Sequence, residues 1–134
     1  MIKGKYAFFT VILFTLVLYL TACQTTVGGS GGKNFYKLKR SLTMPQYWEV
    51  MIQKGIKPIY GAVLAGIEDL GLKTNQNKVD ELSGIVEGVF SDDTKFKIKL
   101  SYESPSVTLM RIRVGLTGNK HLAVRLFEAI EKRF

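Results

Sequence analysis

Hydrophobic and polar residues alternate most regularly over residues 95–103 (KFKIKLSYE). A period of two is typical of a β-strand with one buried face. The apolar side chains that share this face are Phe96, Ile98, Leu100 and Tyr102. Residues 107–115 repeat the alternation, residues 82–90 form a further apolar run, and turn-forming residues separate the three segments. The pattern therefore predicts three consecutive antiparallel strands.

The buried faces of these strands also predict how they pair, because a slip of one residue would expose the core positions. Pairing Phe96 with Val114 aligns the apolar residues of the last two strands. Pairing Phe96 with Phe90 aligns those of the first two. This places Gly84 and Gly88 on the inner face, where a helix can approach the backbone closely.

The same register predicts a basic stripe on the outer face of the sheet. It puts Glu87, Lys99 and Arg111 in one row, and Lys97 and Arg113 in the next. We refer to the four cationic residues as the basic surface: Lys97, Lys99, Arg111 and Arg113. This surface is either a contact site for an anionic partner or an ordinary solvated sheet face.

Apolar residues also fall on this outer face, namely Ile85, Val89, Val107 and Leu109. A fully solvated face would carry fewer of them. Either the preceding part of the chain, residues 35–53, covers them, or a partner does.

Two further segments have the period of a helix. Residues 57–70 place apolar side chains on one stripe, and residues 119–134 do the same behind a cap at Gly118 or Asn119. Residues 35–42 and 72–75 favour short strands. Residues 46–53 fit a strand or a helix, and we favour the strand. The fold expected for residues 35–134 is α+β, an antiparallel sheet of four to five strands with two helices on one face.

The beginning of the chain has the pattern of a secretion signal. Lys3 and Lys5 precede an uncharged, mostly apolar run over residues 6–20, and the small residues Thr21 and Ala22 follow. The run is shorter than the roughly 20 residues that a membrane span needs. Residues 1–22 are therefore expected to be a cleaved signal peptide, the alternative being an uncleaved anchor helix.

Residues 20–23 (Leu-Thr-Ala-Cys) resemble the bacterial lipobox at all four positions. The resemblance implies cleavage before Cys23 and acylation of this cysteine, which anchors the chain to a membrane. Gln24, rather than Asp, implies the outer membrane by the sorting rule of that class. Residues 24–34 are rich in Gly, so residues 23–34 are expected to form the acylated cysteine and a flexible tether.

Composition limits the possible chemistry. The net charge is +8, with 19 basic and 11 acidic residues, and the chain has one Cys and one His. One Cys allows no intrachain disulfide, and one His allows no multi-histidine metal site. His121 has no nucleophile and acid nearby in sequence that would make it catalytic. No cofactor, metal or catalytic residue is expected, and the protein is not expected to be an enzyme.

Residues 55–134, together with the lipobox, resemble a family of small bacterial lipoproteins of unknown function. The resemblance rests on a strand end, a pair of residues that is usually Gly-Asp, and a closing helix: Ile112-Arg113-Val114-Gly115, Gly118-Asn119 and Leu126-Phe127-Glu128-Ala129-Ile130. Asn119 stands where the family usually has Asp, and residues 35–53 do not align. The resemblance implies a small α+β sandwich, no enzymatic activity and, for some members, association with virulence at the cell surface.

These observations predict a non-enzymatic outer-membrane lipoprotein whose domain faces the periplasm or the cell surface. It is expected to be an envelope or host interaction module, with a protein or an anionic lipid as partner in addition to the membrane that holds its anchor. Nucleic acid is not expected as a partner, because the anchor places the domain outside the cytoplasm. The alternative is a hydrophobic-ligand or lipid-binding protein, with a pocket between sheet and helices beside Gly61, Gly66, Gly84 and Gly88.

Overall fold

The computed structural model describes residues 36–134, which form an α+β fold. The strands are β1 Lys39–Arg40, β2 Trp48–Ile52, β3 Lys73–Val79, β4 Ser83–Val89, β5 Lys95–Ser104 and β6 Val107–Val114, and the helices are α1 Ile56–Asp69 and α2 Lys120–Glu131. The strands form one antiparallel sheet in the order β1-β2-β6-β5-β4-β3. The predictions for residues 1–35, including the signal peptide, Cys23 and the tether, lie outside the described residues.

The predicted fold class is confirmed, with six strands in place of four to five. Residues 46–53 contain the strand β2, as favoured, but β1 is reduced to two residues. The strand β3 is longer than expected and exposed along nearly its whole length. Its sequence, KTNQNKV, has no apolar alternation, which is why the pattern indicated only a short segment there.

The core lies between the inner face of the sheet and the two helices. Its largest fully buried side chains include Ile52, Ile59, Ile67, Ile98, Leu100, Met110, Ile112, Leu126 and Ile130. The helices pack closely at Gly66, where an added Cβ would lie 2.8 Å from the Cα of Ile130. The second helix begins as predicted at Asn119, whose side chain accepts a hydrogen bond from the backbone N–H of Leu122 at 3.1 Å.

The pairing predicted between the last two strands is confirmed, since Phe96 lies opposite Val114. The pairing predicted between β4 and β5 is wrong by two residues, because Phe96 lies opposite Gly88 rather than Phe90. The turn sets this register: the backbone N–H of Phe90 donates to the carbonyl of Thr94 at 2.9 Å, and Asp93 has a left-handed φ of 65°. A three-residue loop with a left-handed residue is a common hairpin connection.

Tyr102 is also placed differently from the prediction. It was expected on the buried face with Leu100, but 42% of it is exposed. It lies at the hairpin end, where the register between β5 and β6 shifts between Tyr102 and Ser104. Opposite it, Thr108 is fully buried and donates a hydrogen bond to the carbonyl oxygen of Lys54 at 2.8 Å.

Candidate functional site: the basic outer face of the sheet

The four residues of the basic surface lie together on the outer face of β5 and β6, as predicted. The residues that lie side by side across the strands differ from the prediction, because β4 is shifted by two residues relative to β5. Lys97 lies between Glu87 and Arg113, and Lys99 lies between Ile85 and Arg111. The acidic residue of β4 is therefore next to Lys97 and not next to Lys99.

Two of the four cations are paired with carboxylates on neighbouring strands. Lys97 Nζ lies 2.5 Å from Glu87 Oε1, and Arg111 Nε lies 3.2 Å from Glu49 Oε2. Their side chains are only 27% and 21% exposed. These pairs hold the two cations on the sheet and cancel much of their charge.

The other two cations contact the ring of Tyr47. The Nζ of Lys99 and the Cζ of Arg113 each lie 5.3 Å from the centre of this ring. Tyr47 is 4% exposed, so the ring is buried beneath and between its neighbours. Cations at this distance from an aromatic face are attracted by its quadrupole.

The sequence pattern did not identify Tyr47 as part of this site. It lies one residue before β2, and Trp48 faces the inner side, opposite Ile112. Because successive side chains alternate, Tyr47 is directed to the outer face. Its location beside Lys99 and Arg113 depends on the pairing of β2 with β6, which the sequence did not predict.

The register places four further cations on the same outer face, around the basic surface. On the outer face, Lys39 lies opposite Glu49 and Lys78 lies opposite Ile85. Lys73 and Lys95 lie on either side of Val89. Among the strand-paired residues of this face in the described chain, eight are Lys or Arg and two are Glu. The cations are Lys39, Lys73, Lys78, Lys95, Lys97, Lys99, Arg111 and Arg113, and the acids are Glu49 and Glu87.

The apolar residues of the outer face remain partly exposed: Ile85, Val89, Val107 and Leu109. Within residues 36–53, β1 and β2 extend the sheet sideways rather than lying across this face. Tyr47 covers the part beside Lys99 and Arg113. The described part of residues 35–53 therefore supplies partial cover, and apolar surface remains between the charged rows.

Most of the glycines that the sequence indicated as space for a ligand are closely packed. An added Cβ would lie 2.5 Å from Phe96 Cζ at Gly88, 3.2 Å from Leu100 Cδ1 at Gly84, and 2.8 Å from Ile130 at Gly66. Gly61 is exposed, and no atom lies within 4 Å of a Cβ added there. Three of the four glycines thus allow neighbouring groups to approach closely, and they do not leave space beside the sheet.

The remaining candidate residues have ordinary positions. His121 is exposed in the first turn of α2. Asp92 accepts a hydrogen bond from the backbone N–H of Thr94 at 3.1 Å, and the Thr94 hydroxyl and N–H lower the pKa of this carboxyl. Over residues 36–134 there is no group of three His, Cys, Asp or Glu residues arranged to hold a metal ion. No helix in that range is long and apolar enough to span a membrane.

Comparison with known protein families gives one match. Residues 7–133 match the family described as "Protein of unknown function (DUF3568)". The chain belongs to this family. Membership agrees with the resemblance to a family of unknown function, and the family description names no reaction, ligand or partner. A search of curated proteins found no match.

Proposed function

We propose that this member of the family is a non-enzymatic outer-membrane lipoprotein that acts as an envelope or host interaction module. In this proposal Cys23 is acylated and holds the domain at the membrane, on the periplasmic side or at the cell surface. The outer face of the sheet then binds an anionic partner. Contact with a host, which the family resemblance implied for some members, applies if the domain faces outward.

The observation that carries the proposal is the excess of positive charge on the outer face of the sheet. Eight cations and two carboxylates share one face, and both carboxylates are already paired with members of the basic surface. A surface of one sign attracts an oppositely charged partner and orients it during encounter. Partly exposed apolar residues between the charged rows, such as Ile85 and Leu109, would add area that a partner can bury.

Within the four-residue basic surface, the side chains available for such contact are Lys99 and Arg113. They have no carboxylate partner among the described ion pairs, and they lie against Tyr47. Because Tyr47 restrains both side chains, less conformational entropy is lost when they bind. This arrangement favours a defined contact site over a diffuse cationic surface.

The test is chemical crosslinking in intact cells, followed by mass spectrometry of the captured proteins and lipids. The face variant is Lys99→Gln/Arg113→Gln. The matched control is Arg125→Gln/Lys132→Gln, which removes the same charge from exposed positions of the helical layer. Thermal unfolding of each variant establishes that Tyr47 and the sheet still pack.

The proposal predicts a partner that crosslinks to the wild-type chain and to the control, and that is lost from the face variant. Equal recovery from all three proteins would contradict a role for the basic surface. Recovery of nothing above background would contradict the interaction module itself.

A further inference from the structure

Three loops come together at one end of the sheet. Residues 41–47 join β1 to β2, residues 90–94 join β4 to β5, and residues 115–119 follow β6. The register places them at the same end, since Trp48 lies opposite Ile112 and Val89 lies opposite Lys95. We refer to these three loops together as the loop end.

Two leucines at the loop end are almost completely exposed. Leu42 is 97% exposed and Leu116 is 92% exposed, which makes them the two most exposed large hydrophobic residues in the described chain. Neither lies in a strand or helix, so no register or core requirement accounts for an apolar side chain there. Single exposed hydrophobic residues are common on protein surfaces, so the significance of these two leucines depends on the charges and the groove that accompany them.

The loops that carry these leucines are well ordered by hydrogen bonds and close contacts. The backbone N–H of Ser41 donates to the carbonyl of Tyr47 at 2.9 Å, and the N–H of Tyr47 donates to the carbonyl of Met44 at 2.8 Å. The two loops also touch, because an added Cβ at Gly118 would lie 2.2 Å from the carbonyl oxygen of Gln46. The exposure of the leucines is therefore fixed by the fold.

Cations flank the two loops that carry the leucines, because Arg40 precedes residues 41–47 and Lys120 follows residues 115–119. Arg40 Cζ and Lys120 Nζ each lie 5.3 Å from the ring centre of Trp48, and the indole N–H of Trp48 donates to the carbonyl of Gly118 at 3.0 Å. The cations at this end are Arg40, Lys73, Lys95, Lys97, Arg113 and Lys120, and the carboxylates are Glu87, Asp92 and Asp93. Positive charge is therefore in excess at the loop end.

A groove of about 530 Å³ opens beside Leu116. Its lining includes Lys95, Lys97 and Arg113 together with the carboxylate-bearing residues Glu87 and Asp93. Since Glu87 is paired with Lys97, the side chains of Lys95 and Arg113 remain available to an anionic group that enters the groove. The loop end thus combines exposed apolar side chains with cations beside an open groove.

The opposite end of the sheet has an exposed leucine of its own. Leu82 is 66% exposed there, but it follows directly after Asp80 and Glu81. Asp80 accepts backbone hydrogen bonds from Leu82 and Ser83, and Glu81 pairs with Lys57. The carboxylates next to Leu82 would be repelled by an anionic surface, which makes Leu82 the comparison position for Leu42 and Leu116.

We propose that the loop end docks on an anionic lipid bilayer, with Leu42 and Leu116 entering the boundary between headgroups and acyl chains. Arg40, Lys95 and Lys120 would contact lipid phosphates, because cations near an anionic leaflet are attracted by its surface potential. The inference rests on the proposed anchoring through Cys23. A weak docking surface becomes effective when an anchor already holds it close to the membrane.

The geometry of the chain permits this orientation. The described chain begins at the opposite end, where the Tyr36 hydroxyl accepts a hydrogen bond from the N–H of Gln53 at 3.3 Å. The twelve residues 24–35 between Cys23 and Tyr36 can span at most about 40 Å when extended. The eight residues of β6 are about 26 Å long, so the anchor can reach past the sheet. In this orientation the part of the outer face around Lys99 and Arg111 stays accessible to a partner, whereas Lys97 and Arg113 line the groove at the docking end.

The test is a fluorescence measurement on the full protein purified from membranes and placed in vesicles. Leu116→Cys and Leu42→Cys each introduce a thiol at an exposed position, where no core packing is lost. Acylation of Cys23 leaves this thiol as the only free one, because the chain has one native Cys. A polarity-sensitive dye on the thiol and quenching by doxyl-labelled lipid report contact with the bilayer. The matched control is Leu82→Cys.

Vesicles of phosphatidylcholine are compared with vesicles that also contain phosphatidylglycerol. The proposal predicts a blue-shifted emission and stronger quenching at positions 42 and 116 in the anionic vesicles, with little change at position 82. Lys95→Gln/Lys120→Gln should reduce the quenching. Equal signals at all three positions, or stronger quenching at position 82, would overturn the proposal.

The intact mass of the same preparation separates this inference from the proposed function. If the protein is acylated but the dye at positions 42 and 116 shows neither the blue shift nor the stronger quenching, membrane docking alone is overturned. The interaction module then stays in place. If the mass shows no acyl chains, the anchoring proposal fails. The docking inference, which rests on this anchor, then fails with it.

Discussion

Glu87 on β4 lies directly opposite Lys97 on β5, and their side chains form an ion pair of 2.5 Å across the outer face of the sheet. The sequence pattern had instead placed Glu87 beside Lys99. The difference decides which cations remain available, because Glu87 can neutralise only its direct neighbour. With Lys97 paired, the charge of the basic surface is concentrated at Lys99 and Arg113.

We predict that Glu87→Gln increases the attraction of the basic surface for polyanions. The change frees Lys97, so the protein should elute from a dextran sulfate matrix at a higher salt concentration than the wild type. Stability should change by no more than about 1 kcal/mol, since partly exposed ion pairs contribute little.

The matched control is Glu81→Gln, which removes the carboxylate that pairs with Lys57 at the other end of the sheet. Its effect on elution should be smaller. An equal shift for both variants would mean that net charge alone, and not the outer face, governs binding to the matrix.

Two glycines of α1 should respond in opposite ways to the same substitution. An added Cβ at Gly66 would lie 2.8 Å from the backbone N and Cα of Ile130 in α2, so Gly66→Ala forces the helices apart. We expect a loss of about 1–3 kcal/mol in the free energy of unfolding.

Gly61→Ala is the control on the same helix. No atom lies within 4 Å of the added Cβ, and alanine favours the helix by about 1 kcal/mol. Thermal or urea unfolding should therefore show Gly61→Ala to be more stable than the wild type. If both substitutions destabilise equally, the close contact between α1 and α2 is not the cause.

The turn before β4 should contribute a pH-dependent stability. Asp80 accepts hydrogen bonds from the backbone N–H groups of Leu82 and Ser83, each at 2.8 Å, and these hold the pKa of its carboxyl below the usual value. A folded-state pKa below that of the unfolded chain stabilises the fold above the unfolded value of about 4, and this stabilisation is lost as the pH falls through the folded pKa.

Asp80→Ala should therefore be less stable than the wild type at about pH 7. The difference in their free energies of unfolding should shrink as the pH falls below about 4. Urea unfolding of both proteins at about pH 7 and at a pH below about 4 measures this difference in stability. A difference that is the same at both values would show that the carboxylate charge does not stabilise the turn.

The parts of the fold that the sequence predicted best are those with a strong period. The alternation over β5 and β6 was sufficient to predict their pairing, and the apolar stripes of α1 and α2 predicted both helices. The pairing of β4 with β5 was missed because a slip of two residues leaves the same side chains facing the core. Only the turn from Phe90 to Thr94, with its left-handed Asp93, distinguishes the two registers.

The basic surface was predicted in its location but not in its details. The four cations follow from alternation along two strands, whereas Tyr47 lies outside the strand pattern and reaches the site only through the pairing of β2 with β6. The cations of β3 were missed for a related reason, because a polar edge strand has no apolar alternation to reveal its register. The loop end was not identifiable either, since exposure of Leu42 and Leu116 is a property of the folded loops.

The most direct test of the whole account is the intact mass of the protein purified from its native membranes, compared with the Cys23→Ser variant. We predict a mass equal to residues 23–134 with two or three acyl chains attached, and loss of this species in the variant. Such a result would establish the anchor on which the interaction module and the docking of the loop end depend. An unacylated mass, or that of the full chain with residues 1–22 retained, would contradict the account.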